Sequence, residues 1–124
     1  MQSRLLLCFA GLSLLVATIG GALASHVLAA LDARSLQSFS TAVDFQFFHG
    51  LGLIALTLVG LRGIGGKWLW IAAWLIAAGT LLFCGSIYAR TFGAPPGVVA
   101  VAPYGGVALM LGWIVFAACV WRRN

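Results

Sequence analysis

The chain has 124 residues, room for one compact unit, and 63% of them are apolar against 7% charged. Soluble domains carry about 45–50% and about 25%, so a water-soluble fold of this size could not hide so much apolar surface. Seven Lys and Arg against two Asp give a net charge of +5. The basic residues flank apolar runs and form no stripe, which excludes nucleic acid as a partner and points to membrane topology and anionic lipid headgroups.

The first charge-free run extends from Leu5 to Leu31. With Arg4 before it and Ala22-Leu23-Ala24 ahead of Ser25, it imitates a secretory signal and its small-residue cleavage site. The run is longer than the ~7–15 residues of a signal's apolar region, so it is read as the first membrane helix, spanning about 5–28. The second run, Phe45 to Leu61, has only 17 residues, short of the ~20 that cross ~30 Å of hydrocarbon. Leu36, Phe39, Val43 and Phe47 recur at helical spacing before it, so an amphipathic lead-in extends that helix through Asp44, with the span placed at about 42–61. Asp44 is expected to cap or to pair with Arg34 or Arg90, and Asp32 and Arg34 to be solvated loop charges.

The third run gives a span of about 68–90. The fourth, Thr91 to Trp121, is too long for one straight helix and is broken by Pro95-Pro96-Gly97 and Pro103. A helix of about 103–121 begins at Pro103, whose missing N–H costs nothing in a first turn. Val98 to Ala102 is then left to lie at the interface or to fold back against the bundle. The fold class expected is all-α, an integral membrane four-helix bundle in one transmembrane domain. Arg4, Arg62, Lys67, Arg122 and Arg123 on one side against Arg34 and Arg90 on the other place both termini in the cytoplasm. Trp68, Trp70, Trp121, Tyr88 and Tyr104 near span ends fit aromatic belts.

In lipid, helices associate through close packing and interhelical hydrogen bonds, so small residues at spacings of three, four or seven mark contacts. Gly11 and Ala22 on the first helix, Gly50 on the second, Gly79 and Gly85 on the third, and Gly105, Gly106 and Gly112 on the fourth are the expected packing positions. Cys8, Cys84 and Cys119 lie inside apolar runs without CxxC spacing and read as small buried hydrophobes; an odd number argues against a disulfide framework.

The polar residues within the spans are few. If the first helix ends outward at His26 and the second starts outward just before His49, both imidazoles lie at similar depth. Gln46, Cys84, Ser86, Tyr88 and Tyr104 come to the same level. Such groups need partners in lipid, which makes them the candidate site. They form either a hydrogen-bond network without a ligand, or a seat for haem or a metal between His26 and His49 with Cys84 as a third ligand. A quinone or lipid headgroup pocket and a proton relay are further alternatives, the relay weakened by the lack of acidic groups deep in the spans. No nucleophile with base and orienting carboxylate assembles, no phosphate-cradling loop follows a strand and no metal-ligand repeat appears, so no catalytic residue is assigned.

At these positions the chain resembles the small bacterial inner-membrane family known as YgdD/YwdK-like, the "domain of unknown function 423" group, which has relatives among small mitochondrial membrane proteins. Gly21-Ala22, Ser25-His26, Phe39, Ala42, Phe45-Gln46 and His49 carry the resemblance, followed by Gly79, the run Phe83 to Tyr88, Pro103, Gly105-Gly106 and Gly112-Trp113. The family more often has Tyr where Phe45 stands and Ser where Cys84 stands, which removes two hydroxyls from the cluster. The resemblance implies a four-helix inner-membrane protein of unresolved activity and singles out His26, Gln46, His49, Gly85, Ser86 and Tyr88. The function expected is that of a non-enzymatic accessory subunit or assembly factor, its apolar flanks covered by another membrane protein or by copies of itself. The alternative is a binding protein for haem, metal, quinone or lipid at the His26 and His49 cluster.

Overall fold

A computed structural model describes residues 1–122; Arg123, counted above for orientation, lies outside them. Helix α1 spans Gln2–His26, α2 Ala33–Leu61, α3 Gly66–Thr91 and α4 Ala102–Trp121, with 3-10 segments at Leu28–Ala30 and Pro96–Val101. All four helices are long and apolar enough to cross a membrane. The described fold is a bundle of antiparallel neighbours in which α3 packs against α1, α2 and α4, and α2 also packs against α1. The two 3-10 segments share one end of the bundle, here called the loop end. Met1, the end of α4 and the α2–α3 turn share the other, the terminus end.

Each helix buries one stripe. On α1 it is Leu6, Ala10, Ser13, Ala17 and Gly20, alternating four and three residues apart so that every member returns to one face. This corrects the expected seam: Gly11 meets nothing within 4 Å and Ala22 is exposed. The true stripe runs one residue earlier, a rotation of about 100°. Small residues occupy neighbouring positions on α1, so smallness alone does not select a face. On α2, Gly50 lies beneath Leu14, and a Cβ there would stand 3.0 Å from its Cδ2.

The closest approach joins α3 to α4. A Cβ on Gly105 would stand 2.5 Å from the Phe83 backbone nitrogen and 2.9 Å from the Gly79 oxygen, and one on Gly79 would stand 2.8 Å from the Gly105 oxygen. Gly112 repeats the arrangement two turns on, against Ile76 and the Ala72 oxygen. These are contacts of main chain on main chain, the kind that dispersion rewards most in lipid, where no hydrophobic force draws helices together. Gly106 sits beside this seam, where a Cβ would stand 4.0 Å from the Phe83 ring. Gly85 faces open space and takes no part in packing.

Local chemistry sets the boundaries. Asp32 is no loop charge: its Oδ1 accepts the Ser35 backbone N–H at 3.0 Å and caps α2. The lead-in to the second span is therefore continuous helix from Ala33, and α2's 29 residues extend about 43 Å. Asp44 stands exposed within the helix, and no ion pair or cap forms at it among the described residues. Gly65 holds φ +77 at the α2–α3 turn, and Gly93 holds φ +101 where Ala94 N–H reaches back to the Ala89 oxygen to close α3. Pro103 falls in the first turn of α4, and residues 98–101 form part of the 3-10 segment that runs into it and packs on α3.

Candidate functional site

The polar groups inside the bundle gather between α2 and α3, away from His26. Gln46, on the buried face of α2, accepts a 2.6 Å hydrogen bond at Oε1 from the Tyr88 hydroxyl of α3. One turn toward the terminus end on α3, the Cys84 thiol donates to the Ala42 carbonyl at 3.2 Å. The Phe39 ring closes this pair from the loop end, its centroid 5.1 Å from that of Tyr88. Gly20 of α1 lets the chain pass: a Cβ there would lie 2.9 Å from Val43 and 3.7 Å from the Tyr88 oxygen. Two cross-helix hydrogen bonds thus fix α2 against α3, with the amide nitrogen of Gln46 left without a partner among the described residues.

Between α1 and α3, with Gln46 in its floor, lies a cleft of about 320 Å³. Ser13 lines it, 95% buried (5% exposed), and its hydroxyl has no hydrogen-bond partner. Thr18, Thr57 and Thr80 by contrast donate to the carbonyl four residues back, the usual way for a hydroxyl to be satisfied on a helix. Ser13 was not singled out in the sequence, although its place in the Leu6, Ala10, Ala17, Gly20 stripe marks it as inward-facing.

His26 and His49 do not meet. Because α1 and α2 are antiparallel, with Leu14 on Gly50 and Val43 on Gly20, His49 is level with about residue 14 of α1. His26 lies some twelve residues farther toward the loop end, about 18 Å along the axis. The expectation of equal depth counted His49 from an edge near 42, whereas α2 starts at Ala33. A metal or haem held jointly by these two imidazoles is therefore not available. Among the described residues, no three His, Cys, Asp or Glu gather at one point. His26 is exposed at the last turn of α1, where a basic group suits the helix dipole. Tyr104 is 74% exposed, and the Ser86 hydroxyl turns back to the Phe83 carbonyl at 3.0 Å, so neither joins the Gln46–Tyr88 pair.

His49 has surroundings of its own. Its Nδ1 lies 2.7 Å from the Phe45 carbonyl; a carbonyl only accepts, so Nδ1 carries the proton and donates. In the neutral ring Nε2 is then a bare acceptor, and it bonds to nothing among the described residues. The imidazole sits in a string of rings: Phe83 stacked on Phe45 at 4.8 Å, Phe45 to His49 at 5.4 Å, His49 to Trp113 at 6.1 Å and Trp113 to Phe116 at 6.0 Å. Gly52 makes room for the indole, since a Cβ there would stand 2.8 Å from Trp113 Cη2. The string ties α3, α2 and α4 together along one flank, with His49 half-buried at its centre.

A family model described as "Protein of unknown function (DUF423)" matches residues 20–106, which include Gln46, His49, Cys84 and Tyr88. Among curated relatives, a UPF0382 membrane protein of Haemophilus influenzae is 39% identical over 98 residues, 78% of this chain and 77% of that protein. The UPF0382 inner membrane protein YgdD of Escherichia coli is 33% identical over 114 residues, 91% of this chain and 86% of its own. A UPF0382 membrane protein of Staphylococcus saprophyticus is 30% identical over 114 residues, 90% and 92% of the two chains. No solved structure matches. Four spans and these relatives agree on location and kinship: the chain is an integral protein of the bacterial inner membrane and belongs to the DUF423 family of UPF0382 membrane proteins.

Proposed function

We propose that the chain is a non-catalytic subunit of a larger membrane assembly, docked along its α2–α4 flank against a transmembrane helix of another protein that brings a hydrogen-bond donor to His49. The observation that carries this is the bare Nε2 of a half-buried imidazole within a membrane span. A strongly polar group in hydrocarbon is costly and retained where something meets it. Nδ1–H is committed to the Phe45 carbonyl, so the partner must offer an O–H or N–H. Two copies meeting symmetrically at His49 would oppose one acceptor to another, which favours a different protein over self-association through this residue. Phe45, one turn before it and 36% exposed, supplies apolar contact beside it on α2, its ring centroid 5.4 Å from the imidazole. The charge asymmetry supports an orientation with both termini in the cytoplasm.

Purification into lipid nanodiscs followed by mass measurement tests the reading. The expected result is a defined complex heavier than the 13.0 kDa chain, dissociating about threefold to thirtyfold more readily in His49→Leu, as an interhelical hydrogen bond of ~0.6–2 kcal/mol implies. A lone chain, or a complex indifferent to His49→Leu, defeats it.

A further inference from the structure

At the loop end, outside the Gln46 surroundings and meeting the ring string of His49 only at Phe83, two adjoining pockets open between α2 and α3. One, of about 390 Å³, is lined by Arg34, Ser38, Arg90, Thr91, Val99 and Leu31, among others. The next, of about 350 Å³, shares Arg34, Ser38 and Ile87 with it and continues to Thr41 and Phe83. No carboxylate lines either pocket. Arg90 is held in place by its Nη1, which donates to the Ala94 carbonyl at 3.3 Å, and its other guanidinium donors remain available. Phe83 precedes Arg90 by seven residues, so the groove leads about 10 Å along α3 from the charges into the apolar span.

We propose that this groove seats an anionic phospholipid, with the phosphodiester between Arg34 and Arg90 and an acyl chain descending past Ile87 to Phe83. Two guanidinium forks without a carboxylate suit a phosphate, which they bind through paired N–H donors. Ser38 and Thr91 line the same pocket; the Thr91 hydroxyl donates to the Ile87 carbonyl at 3.0 Å and keeps its lone pairs to accept from a glycerol hydroxyl of a phosphatidylglycerol headgroup. The apolar continuation separates a lipid from a free anion, because inorganic phosphate has nothing to place along Ile87 and Phe83. Arg34 and Arg90 lie at the level where helices give way to loops, the depth of the headgroup layer, where each basic residue adds appreciably to the hold on an anionic lipid. The pair sits on the side poorer in basic residues, so its role is local recognition and not orientation.

The test is native mass spectrometry of delipidated full-length protein, titrated separately with phosphatidylglycerol, with phosphatidylcholine of the same acyl chains, and with inorganic phosphate. Phosphatidylglycerol should bind at least tenfold more tightly than phosphatidylcholine. Arg34→Gln with Arg90→Gln should erase roughly thirtyfold of that affinity, whereas Arg4→Gln with Arg62→Gln at the opposite end should leave it unchanged. Thermal melting confirms that the variants fold, and Arg34→Lys with Arg90→Lys should restore part of the binding by returning the charge without the fork. Equal binding of the two lipids, a preference that survives the double Gln substitution, or displacement of the lipid by equimolar inorganic phosphate would each overturn the proposal.

Discussion

Replacing Gly105 by alanine adds one carbon where the structure leaves no place for it. That Cβ would stand 2.5 Å from the Phe83 nitrogen and 2.9 Å from both the Phe83 Cα and the Gly79 oxygen. All three are main-chain atoms of α3, so no rotamer change relieves the overlap. To reach ordinary contact near 3.4 Å the helices must part by about 0.9 Å, the difference between 3.4 and 2.5. A gap of 0.5–1 Å forfeits about a quarter to a half of each dispersion well. The loss extends to Gly79 and Leu109, and overpacking of this kind costs about 1–3 kcal/mol. Gly85→Ala is the control, because its Cβ meets nothing within 4 Å and alanine is the better helix former. Reversible unfolding in mixed micelles, followed by circular dichroism, should therefore show Gly105→Ala destabilised by about 1–3 kcal/mol and Gly85→Ala unchanged or slightly stabilised. Equal effects at the two positions would refute the argument that main-chain contact holds α3 to α4.

In a double-mutant cycle between Gln46→Leu and Tyr88→Phe, either single change leaves a buried group unpaired at a cost of about 1–3 kcal/mol. The double variant should recover about 0.6–2 kcal/mol of the summed loss; strict additivity would deny the 2.6 Å bond any energetic role. Ser13→Ala removes a buried hydroxyl without a partner and should leave the unfolding midpoint unchanged or raise it, so a clear fall would show that the hydroxyl is engaged in the membrane. The Asp32 carboxyl is held below its ordinary 3.8 by hydrogen bonds from the Ser35 side chain and backbone. Because the folded value is the lower one, the cap's contribution is fully present above about 3.8 and fades as pH falls through the depressed value. Protection of the Ser35 amide, measured as its exchange rate relative to the intrinsic rate at each pH, should fall over that acid window in the native chain, and in Asp32→Ala it should be low at every pH. Fusion of a cytoplasm-active reporter to the C-terminus should give full activity if the basic-residue asymmetry sets orientation, and an inactive fusion would reverse the topology.

Hydropathy made the four spans legible, because long apolar runs answer to one dominant cost, that of apolar surface in water. The residues that end the helices were partly legible. Pro103 announces a first turn, but the run Leu36, Phe39, Val43, Phe47 did not by itself tell a separate interfacial lead-in from the single rod that Asp32 starts. That uncertainty decided the site. Reckoned from position 42, His49 lies near the edge of its span, while in the helix beginning at Ala33 it lies sixteen residues in and far from His26. Rotation was harder to read than depth: a one-residue choice on α1 turns the face by about 100°, enough to put Gly11 on the lipid side and to hide Ser13. The arginine pocket escaped notice because Arg34 and Arg90, 56 residues apart in sequence, come together only through the antiparallel packing of α2 on α3.

The glycine contact between α3 and α4 also bears on how the protein meets bilayers of different thickness. Sliding one helix along the other by a single residue would replace Gly105 or Gly112 at the crossing with a side chain, so the pair is locked in the direction of the membrane normal. A thicker or thinner membrane must then be answered by tilting both together as a rigid plank. At the α1–α2 seam, Gly50 is covered by the branched end of the Leu14 side chain and not by closely approaching main chain, so there is more slack for vertical adjustment. Hydrophobic mismatch would accordingly be absorbed between the first helix and the rest of the molecule.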